Sequence, residues 1–436
     1  MTSGEAAGPE IENEADVVVI GGGIVGCATA YNLAKRGVKV VLVEKGEIAG
    51  EQSGRNWGWV SQLRNPVEAP LQILSQEIWG GLSEELDADL EWVQAGSFYL
   101  AADEKEFETL RKQAEIMRDT GMDVAALSRS EVEEEVPGIA GNWYGGYLNR
   151  NNGHADPVKT TTAFARAARE AGAKIYSSCS AMGVEVSNGA VASVETERGP
   201  IKTAVIVCAA GAWSGKIGRT IGLDFPQRSV RATVARTNPV PHFTKTNVWG
   251  GGVAVRQRTD GSLIIAGDGT SDYDVTLDSF RHFTAFLPEY RRSWRNIRLH
   301  FGAELVKDAM RRMPWSRRDR HPFMRPEPRP NARKVKSALQ SLLSLFPHLD
   351  GLVRIEQAWA GYIDGTPDRV PIIGEVPGIK GFFVATGFSG HGFAMGPGAG
   401  VVVSELVLDG HASVDIHPMR LGRFAEGQPN PDPEAV

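Results

Sequence analysis

The chain has 436 residues, enough to bury about three quarters of its unfolded surface and to divide into two domains. Its composition, 42% hydrophobic and 23% charged, is that of an ordinary globular protein, and a net charge of -6 argues against nucleic acid as a partner. No stretch reads as the ~18 apolar residues needed to cross a bilayer. Three cysteines, Cys27, Cys179 and Cys208, have no metal-ligand spacing and cannot form an even disulfide set, so no metal site is expected. Cys27 and Cys208 lie in apolar stretches, as thiols buried in a reducing, cytoplasmic protein would. The acidic residues 1–14 lack the basic start and apolar core of a signal peptide and are expected to form a disordered tail.

The first strong pattern runs from Asp16 to Asn56. An apolar run, Val17 to Ile20, turns through Gly21, Gly23 and Gly26 into a segment with apolar residues at helical spacing. Gly37 stops that helix, Val38 to Val43 forms a second apolar run, and Glu44 stands at its end. Strand, tight turn, helix, strand and acid at these offsets predict a dinucleotide site. The glycines serve the turn, the approach of backbone to a pyrophosphate and the packing of helix on strand, and the acid meets a ribose hydroxyl. The loop EQSGRNWGWVSQ that follows is dense in Gly, Ser, Asn and Arg, with tryptophans at 57 and 59, and is expected to lie against something flat and polar.

Helical spacing then prevails from Pro70 to Thr120, with Phe107, Leu110, Ala114 and Met117 on one face and a short strand, Gly96 to Ala102, between. A helix is predicted over Thr160 to Ala171, and VEVSNGAVASVETERG reads as a hairpin turning at SNGA. Ala204 to Ala209 is a buried strand ending in small residues and Gly211, which permits close approach of a ligand at the strand ends. Antiparallel strands follow from Phe225 to Asp268, then a mostly helical region over residues 270–348. Within it, Arg291 to Lys336 carries fifteen Lys or Arg against four acids. That stretch is either a solvated face with a Pro-rich connector or a docking surface for a homo- or hetero-oligomeric partner, an anionic membrane surface or an electron acceptor.

The last informative region predicts a strand from Gly381 to Ala385, the loop GFSGHGF, and a helix from about Pro397 to Leu408 with Pro397 in its first turn. Backbone N–H groups at such a helix start can hold negative charge developing on an electron-accepting ring. A second Gly-rich apparatus so far from the first suits a long cofactor spanning the protein, and FAD has that shape.

Taken together, VVVIGGGIVGCATAYNLAKRG, VEKGEIAGEQSGRNWG, VIVCAAGAWS and TPDRVPIIG followed by ATGFSGHGF resemble the FAD-dependent D-amino acid oxidase superfamily, nearest its glycine oxidase, sarcosine oxidase β-subunit and D-amino acid dehydrogenase branch. The resemblance implies an α/β fold: a Rossmann-like FAD-binding domain with a second, substrate domain built on an antiparallel sheet. The expected segmentation is 15–70, 150–225 and 350–412 for the FAD domain, 71–149 and 226–349 for the cap, and 413–436 for a tail.

It further implies that Gly21, Gly23 and Gly26 cradle the diphosphate beside Ile24 and Val25, that Glu44 holds the adenosine ribose, and that Lys45 and Ala181 border the adenine. Ser53, Arg55, Asn56 and Trp57 would meet the flavin or its ribityl chain, and Ala210, Gly211 and Trp213 the middle of the cofactor. Gly361, Gly387, Ser389, Gly390, His391, Gly392 and Phe393 would line the ring end. No cysteine lies in the C-terminal loops, so FAD is expected to be non-covalent. The arginine some members carry after the WAG motif is replaced by Tyr362, Ile363 and Asp364, and the lysine others carry after GFSGHGF by Ala394.

A substrate carboxylate is left with Arg55, Arg256 or Arg258, or the substrate is another amine. Arg256 and Arg258 share one face of a strand, which looks either into the site or outward. Trp57 and Trp59 face substrate or pack under the FAD domain, and His391 borders the flavin or bonds locally. The substrate-side candidates are therefore Arg55, Trp57, Arg256, Tyr362 and His391, with no dedicated base. The expected reaction is hydride transfer from the carbon beside an amine nitrogen, giving an imine that water hydrolyses, with O2 or another acceptor taking the electrons. The alternative is an FAD-binding subunit of a multi-subunit amine or opine dehydrogenase.

Overall fold

The computed structural model describes residues 11–62, 65–267, 270–294, 297–302, 305–306 and 327–429. Two sheets organise it. The first has six strands in the order Ile372–Glu375, Phe382–Thr386, Val205–Cys208, Val17–Ile20, Val40–Val43, Lys174–Tyr176. All its neighbours are parallel except the edge pair of Ile372–Glu375 with Phe382–Thr386. Strands covered on both faces need no polar side, which is why VVVI, VVLV and VIVC read as unbroken apolar runs.

One face is covered by the helices Ile24–Lys35, Ala69–Glu85, Pro157–Glu170 and Gly392–Asp409. The other carries a three-stranded meander, Ala181–Ser187, Ala190–Thr196 and Gly199–Lys202, whose first turn places Asn188 and Gly189 at φ 51° and 76°. Two successive positive φ values are what a two-residue hairpin turn needs, and the expected SNGA turn stands there.

The second sheet has ten strands. In order they are Ile297–His300, Ser271–Asp274, Arg228–Pro239, Ser262–Gly267, Val253–Gln257, Asn247–Gly250, Ser97–Ala101, Gly145–Asn149 and Val124–Ser128, and Ile355–Gly365 also pairs with Arg228–Pro239. Its pairs are antiparallel apart from Asn247–Gly250 with Ser97–Ala101 and Ser271–Asp274 with Ile297–His300. Helix Ala332–Leu345 buries Ala338, Leu342 and Leu345 against Val253, Val255, Leu263 and Ile265 on one side of it. Helix Glu104–Asp119 buries the expected stripe Leu110, Ala114 and Met117.

Several boundaries differ from expectation. Helix Ala69–Glu85, expected in the cap, sends Leu71, Trp79 and Leu82 into the core that contains Val17 and Val19. Strand Ile355–Gly365, expected in the FAD domain, is a member of the ten-stranded sheet and runs from it to the cofactor side. Residues 270–300 contain two strands, Ser271–Asp274 and Ile297–His300, where helix was expected, because paired edges override weak local preference. Asp268 and most of 291–336 lie outside the described residues.

Parts of the two stretches expected to be tails, residues 11–14 and 413–429, dock on the fold. Ala15 N–H donates to Lys202 O at 3.0 Å, and Lys202 N–H to Asn13 O at 2.9 Å. Residues 417–424 form two 3-10 turns that bury Met419 and Arg423. Arg423 donates to both carboxylate oxygens of Asp368, at 2.9 and 3.1 Å, from a side chain that is 1% exposed.

The last helix starts at Gly392, five residues before the expected point, so Pro397 is in its second turn. Proline has no N–H and disturbs the ladder there. Ser75 fills the disturbance: its hydroxyl donates to Ala394 O at 2.7 Å and accepts from Gly398 N–H at 3.1 Å, while Trp79 Nε1 also donates to Ala394 O at 2.9 Å. Against the expectation that no stretch is long and apolar enough to cross a membrane, this helix is so by length and composition, yet it packs between Ile24–Lys35 and Ala69–Glu85. A Cβ on Gly396 would fall 2.7 Å from Ile24 Cγ2 and one on Gly400 2.5 Å from Ala28 Cβ, so small residues here serve helix contact within the core.

Candidate functional site

A cleft of about 1150 Å³, counting the part open to solvent, runs along the strand ends of the parallel sheet. It begins in the turn between Val17–Ile20 and Ile24–Lys35. Gly21 has φ +117°, and a Cβ on it would sit 2.5 Å from Ala209 O; one on Gly26 would sit 2.0 Å from Gly21 O. Only bare backbone fits, so the turn packs directly on its neighbours and brings the start of helix Ile24–Lys35 to the cleft.

Glu44 is buried and accepts from Gly22 N–H and Gly46 N–H, both at 2.7 Å. Burial pushes its pKa up, against the pull of those two bonds. Ser53 Oγ accepts from Ile24 N–H at 2.9 Å and so joins the helix Gln52–Arg55 to the glycine turn. Lys45 lies across the cleft, 2.5 Å from Glu51 and with its ammonium 4.1 Å from the centre of the Trp213 ring.

Of the residues expected at the cofactor, Gly21, Gly23, Ile24, Val25, Glu44, Lys45, Ser53, Asn56, Ala181, Ala210, Gly211, Trp213, Gly390, Gly392 and Phe393 line this cleft, and Tyr362 borders its far end. The turn, the sheet edge and the start of the last helix are thus brought to one groove from positions more than 300 residues apart. Asp364, Gln52 and Phe388 line it too and were not expected. Asp364 is a buried carboxylate that accepts from Gly387 N–H at 2.7 Å, Gln227 Nε2 at 3.0 Å and Thr386 Oγ1 at 3.2 Å, and burial raises its pKa. Its partners come from two segments, Gln227 and Thr386–Gly387, so no local pattern marks it beyond its place in GYIDG.

The remaining expected residues stand elsewhere. Gly26 packs helix on turn behind the cleft wall. Gly361 lets the helix Gln52–Arg55 approach, since a Cβ there would be 2.3 Å from Gln52 Oε1. Gly387 and Ser389 shape the loop through N–H bonds to Asp364, at 2.7 Å to its carboxylate and 2.9 Å to its carbonyl. Arg55 turns away from the cleft to Gly50 O at 2.8 Å, Ala360 O at 3.2 Å and Glu327 at 2.9 Å. His391 caps the last helix at the cleft's end without lining it. Burial, and then Arg369, push its pKa down to about 4, so its imidazole is neutral at neutral pH.

Trp57 belongs to an aromatic group with Trp59 at 5.3 Å and Trp249 at 5.2 Å between ring centres, under the ten-stranded sheet. Arg256 is 2% exposed, donates from Nε to Trp57 O at 2.5 Å, and has no partner for Nη1 among the described residues. Burial, and then Arg258, lower its pKa to about 10. Arg258 is held by Glu91 at 3.0 Å and Asp156 at 3.0 Å. The surface-charge reading of this pair is therefore wrong: the shared face looks inward, opposite to Val253 and Val255, and Arg258 is spent on an ion-pair group. Among the described residues no group of His, Cys, Asp and Glu is placed to hold a metal ion.

A parallel sheet with a bare glycine turn, an acid at the second strand end and a groove that continues to a helix N-terminus define a flavin-dependent oxidoreductase. The chain belongs to the DAO family of FAD dependent oxidoreductases, whose family model matches residues 16–406. It is similar to mouse (Mus musculus) mitochondrial sarcosine dehydrogenase, 26% identical over 95% of this chain, but spans 42% of that protein's length. It is 27% identical to sarcosine oxidase subunit beta of Rhodobacter capsulatus, over 97% of this chain and 91% of that one. Among solved structures, L-amino acid deaminase from Proteus myxofaciens in complex with anthranilate superposes with a TM-score of 0.89 at 28% identity, covering 96% of both chains.

Proposed function

We propose that this chain oxidises the C–N bond of an amino acid or of an N-substituted amine to an imine, which water then hydrolyses. The observation that carries the reading is the continuous groove from the Glu44 carboxylate to the start of helix Gly392–Asp409, in a member of the DAO family. The named relatives, a sarcosine dehydrogenase, a sarcosine oxidase subunit and an L-amino acid deaminase, support the substrate class.

When bound, FAD supplies the acceptor for the two electrons and the hydrogen leaving the carbon beside nitrogen. The residues of this chain bind and position. The Gly21–Gly26 turn offers backbone N–H groups and a helix start to the diphosphate, and Glu44 offers its carboxylate to ribose hydroxyls. At the far end the first N–H groups of helix Gly392–Asp409 present a positive dipole end, which favours negative charge there. Tyr362, Phe388 and Phe393 give that end an apolar border that excludes water, while Asp364 fixes the loop through Gly387. His391, neutral at working pH, adds no charge. Catalysis on this reading is positioning and electrostatics more than acid–base chemistry.

The test is an anaerobic screen of D- and L-amino acids, N-methyl amino acids, opines and simple amines against the yellow holoprotein. Bleaching of the flavin by an amine is expected; a colourless protein that FAD cannot reconstitute sinks the proposal. A second reading, an FAD-binding subunit that passes electrons to a partner, is favoured by the near full-length likeness to a sarcosine oxidase subunit beta. Turnover by a purified homo-oligomer with O2 argues against it, and a native heteromer on size exclusion for it. The compartment belongs to the same proposal: three free, buried cysteines are compatible with a reducing cytoplasm, which cell fractionation checks.

A further inference from the structure

One buried carboxylate of the cleft is held by neutral groups alone. Tyr362 and Asp364 alternate along strand Ile355–Gly365, so they face the same way, and both line the cleft. Asp364 is 8% exposed. Its Oδ2 accepts from Gly387 N–H at 2.7 Å, Gln227 Nε2 at 3.0 Å and Thr386 Oγ1 at 3.2 Å, and among the described residues it takes part in no ion pair.

Gln227 makes the arrangement specific. Its Oε1 accepts from Gly215 N–H at 3.1 Å, which turns Nε2 toward Gly211 O at 2.9 Å, Thr386 Oγ1 at 3.0 Å and Asp364. Thr386 Oγ1 also reaches Gly211 O at 3.1 Å, and Ser389 N–H donates to the Asp364 carbonyl at 2.9 Å. The turn at Gly211, the strand at Tyr362 and the loop at Phe388, each part of the cleft lining, are thereby drawn together around one carboxylate.

Three donors converging on one oxygen stabilise the ionised form, against burial, which raises the pKa. Neutral donors hold a charge without cancelling it. What they leave on the cleft wall is a fixed negative charge, and charges withdrawn from water are weakly screened. The start of helix Gly392–Asp409 lines the same cleft, and its dipole favours negative charge. His391, neutral at neutral pH, offsets neither. The carboxylate and the helix start therefore act in opposite senses on an electron acceptor in the cleft.

We propose that Asp364 sets the reduction potential of the bound cofactor: its negative charge opposes the charge that two electrons bring into the cleft, and so keeps the reduced form ready to pass them on. The proposal rests on FAD lying in this cleft, as in the reading above, and not on which amine is oxidised.

The experiment measures the midpoint potential of the FAD-loaded protein anaerobically, at one pH and without amine, by equilibration with a reference dye. Asp364→Asn keeps an oxygen for Gly387 N–H and removes the charge. It is expected to shift the equilibrium toward reduced flavin about tenfold, which for two electrons is about 30 mV. Asp364→Ser, which removes the charge with a smaller side chain, is expected to shift it the same way and serves if the first variant fails to fold. Thr386→Val takes away one donor and keeps the carboxylate, so it separates charge from loop position, and its potential is expected not to rise. An unchanged potential in the Asp364 variants, or an equal rise in Thr386→Val, overturns the proposal and leaves the amine-oxidising reading standing. Parent protein that takes up no FAD overturns both.

Discussion

Gly26 and Glu44 show how single residues carry the cofactor site. A methyl group on Gly26 would lie 2.0 Å from Gly21 O, and backbone cannot yield as a flexible side chain can. Gly26→Ala is therefore expected to give protein that purifies without FAD, seen as loss of visible flavin absorbance, with far-ultraviolet circular dichroism kept. Glu44 loses less: its two N–H partners, Gly22 and Gly46, would meet an amide in Glu44→Gln, with one acceptor oxygen in place of two. Loss of one charge-assisted bond predicts FAD affinity weaker by about tenfold to a hundredfold in a fluorescence titration. An unchanged Kd would remove Glu44 from the ribose role.

At the scale of elements, the packing of helix Gly392–Asp409 decides where the ring end of the cleft lies. The helix continues through Pro397 because Ser75, from helix Ala69–Glu85, supplies the missing link between Gly398 N–H and Ala394 O. Ser75→Ala leaves Gly398 N–H buried without that acceptor, a cost of about 1–3 kcal/mol in chemical denaturation. Because Gly392 and Phe393 line the cleft at the start of the same helix, the variant is also expected to hold FAD less tightly. A variant as stable as the parent would mean that Gly398 N–H finds another acceptor once the Ser75 hydroxyl is gone.

Over the whole molecule, buried ionisable groups make stability depend on pH. Glu68 is fully buried between the FAD-domain core and the docked C-terminal turns, and burial, then Asp368, raise its pKa to about 8 from an ordinary 4.5. The folded protein therefore binds more protons than the unfolded chain between those values, so this contribution is complete below the ordinary pKa and fades as pH rises through about 8. His154 and His391, lowered to about 3 and about 4, act in the opposite sense but only on the acid side of their ordinary value. Denaturation midpoints are expected to fall from about pH 7 to about pH 9, and Glu68→Gln to flatten that fall. The same slope in the variant would assign the effect to other groups.

The sequence by itself determined the cofactor end of this protein. The glycine turn, the all-apolar strands and Glu44 are set by contacts within about thirty residues, and local sterics leave few alternatives for a bare turn between a buried strand and a helix. The strand at 205–208 and the Gly-rich loop before the last helix were legible for the same reason. The tertiary structure alone decided what depends on side chains meeting across the fold. Arg55 and Arg256 look alike in sequence, yet one reaches Ala360 O and Glu327 outside the cleft and the other is buried behind Trp57. Helix Ala69–Glu85 joins the FAD-domain core, strand Ile355–Gly365 joins the cap sheet, and Asp364 gathers partners from two other segments. Such partners lie more than a hundred residues apart for the most part, and no local periodicity records which of them will meet.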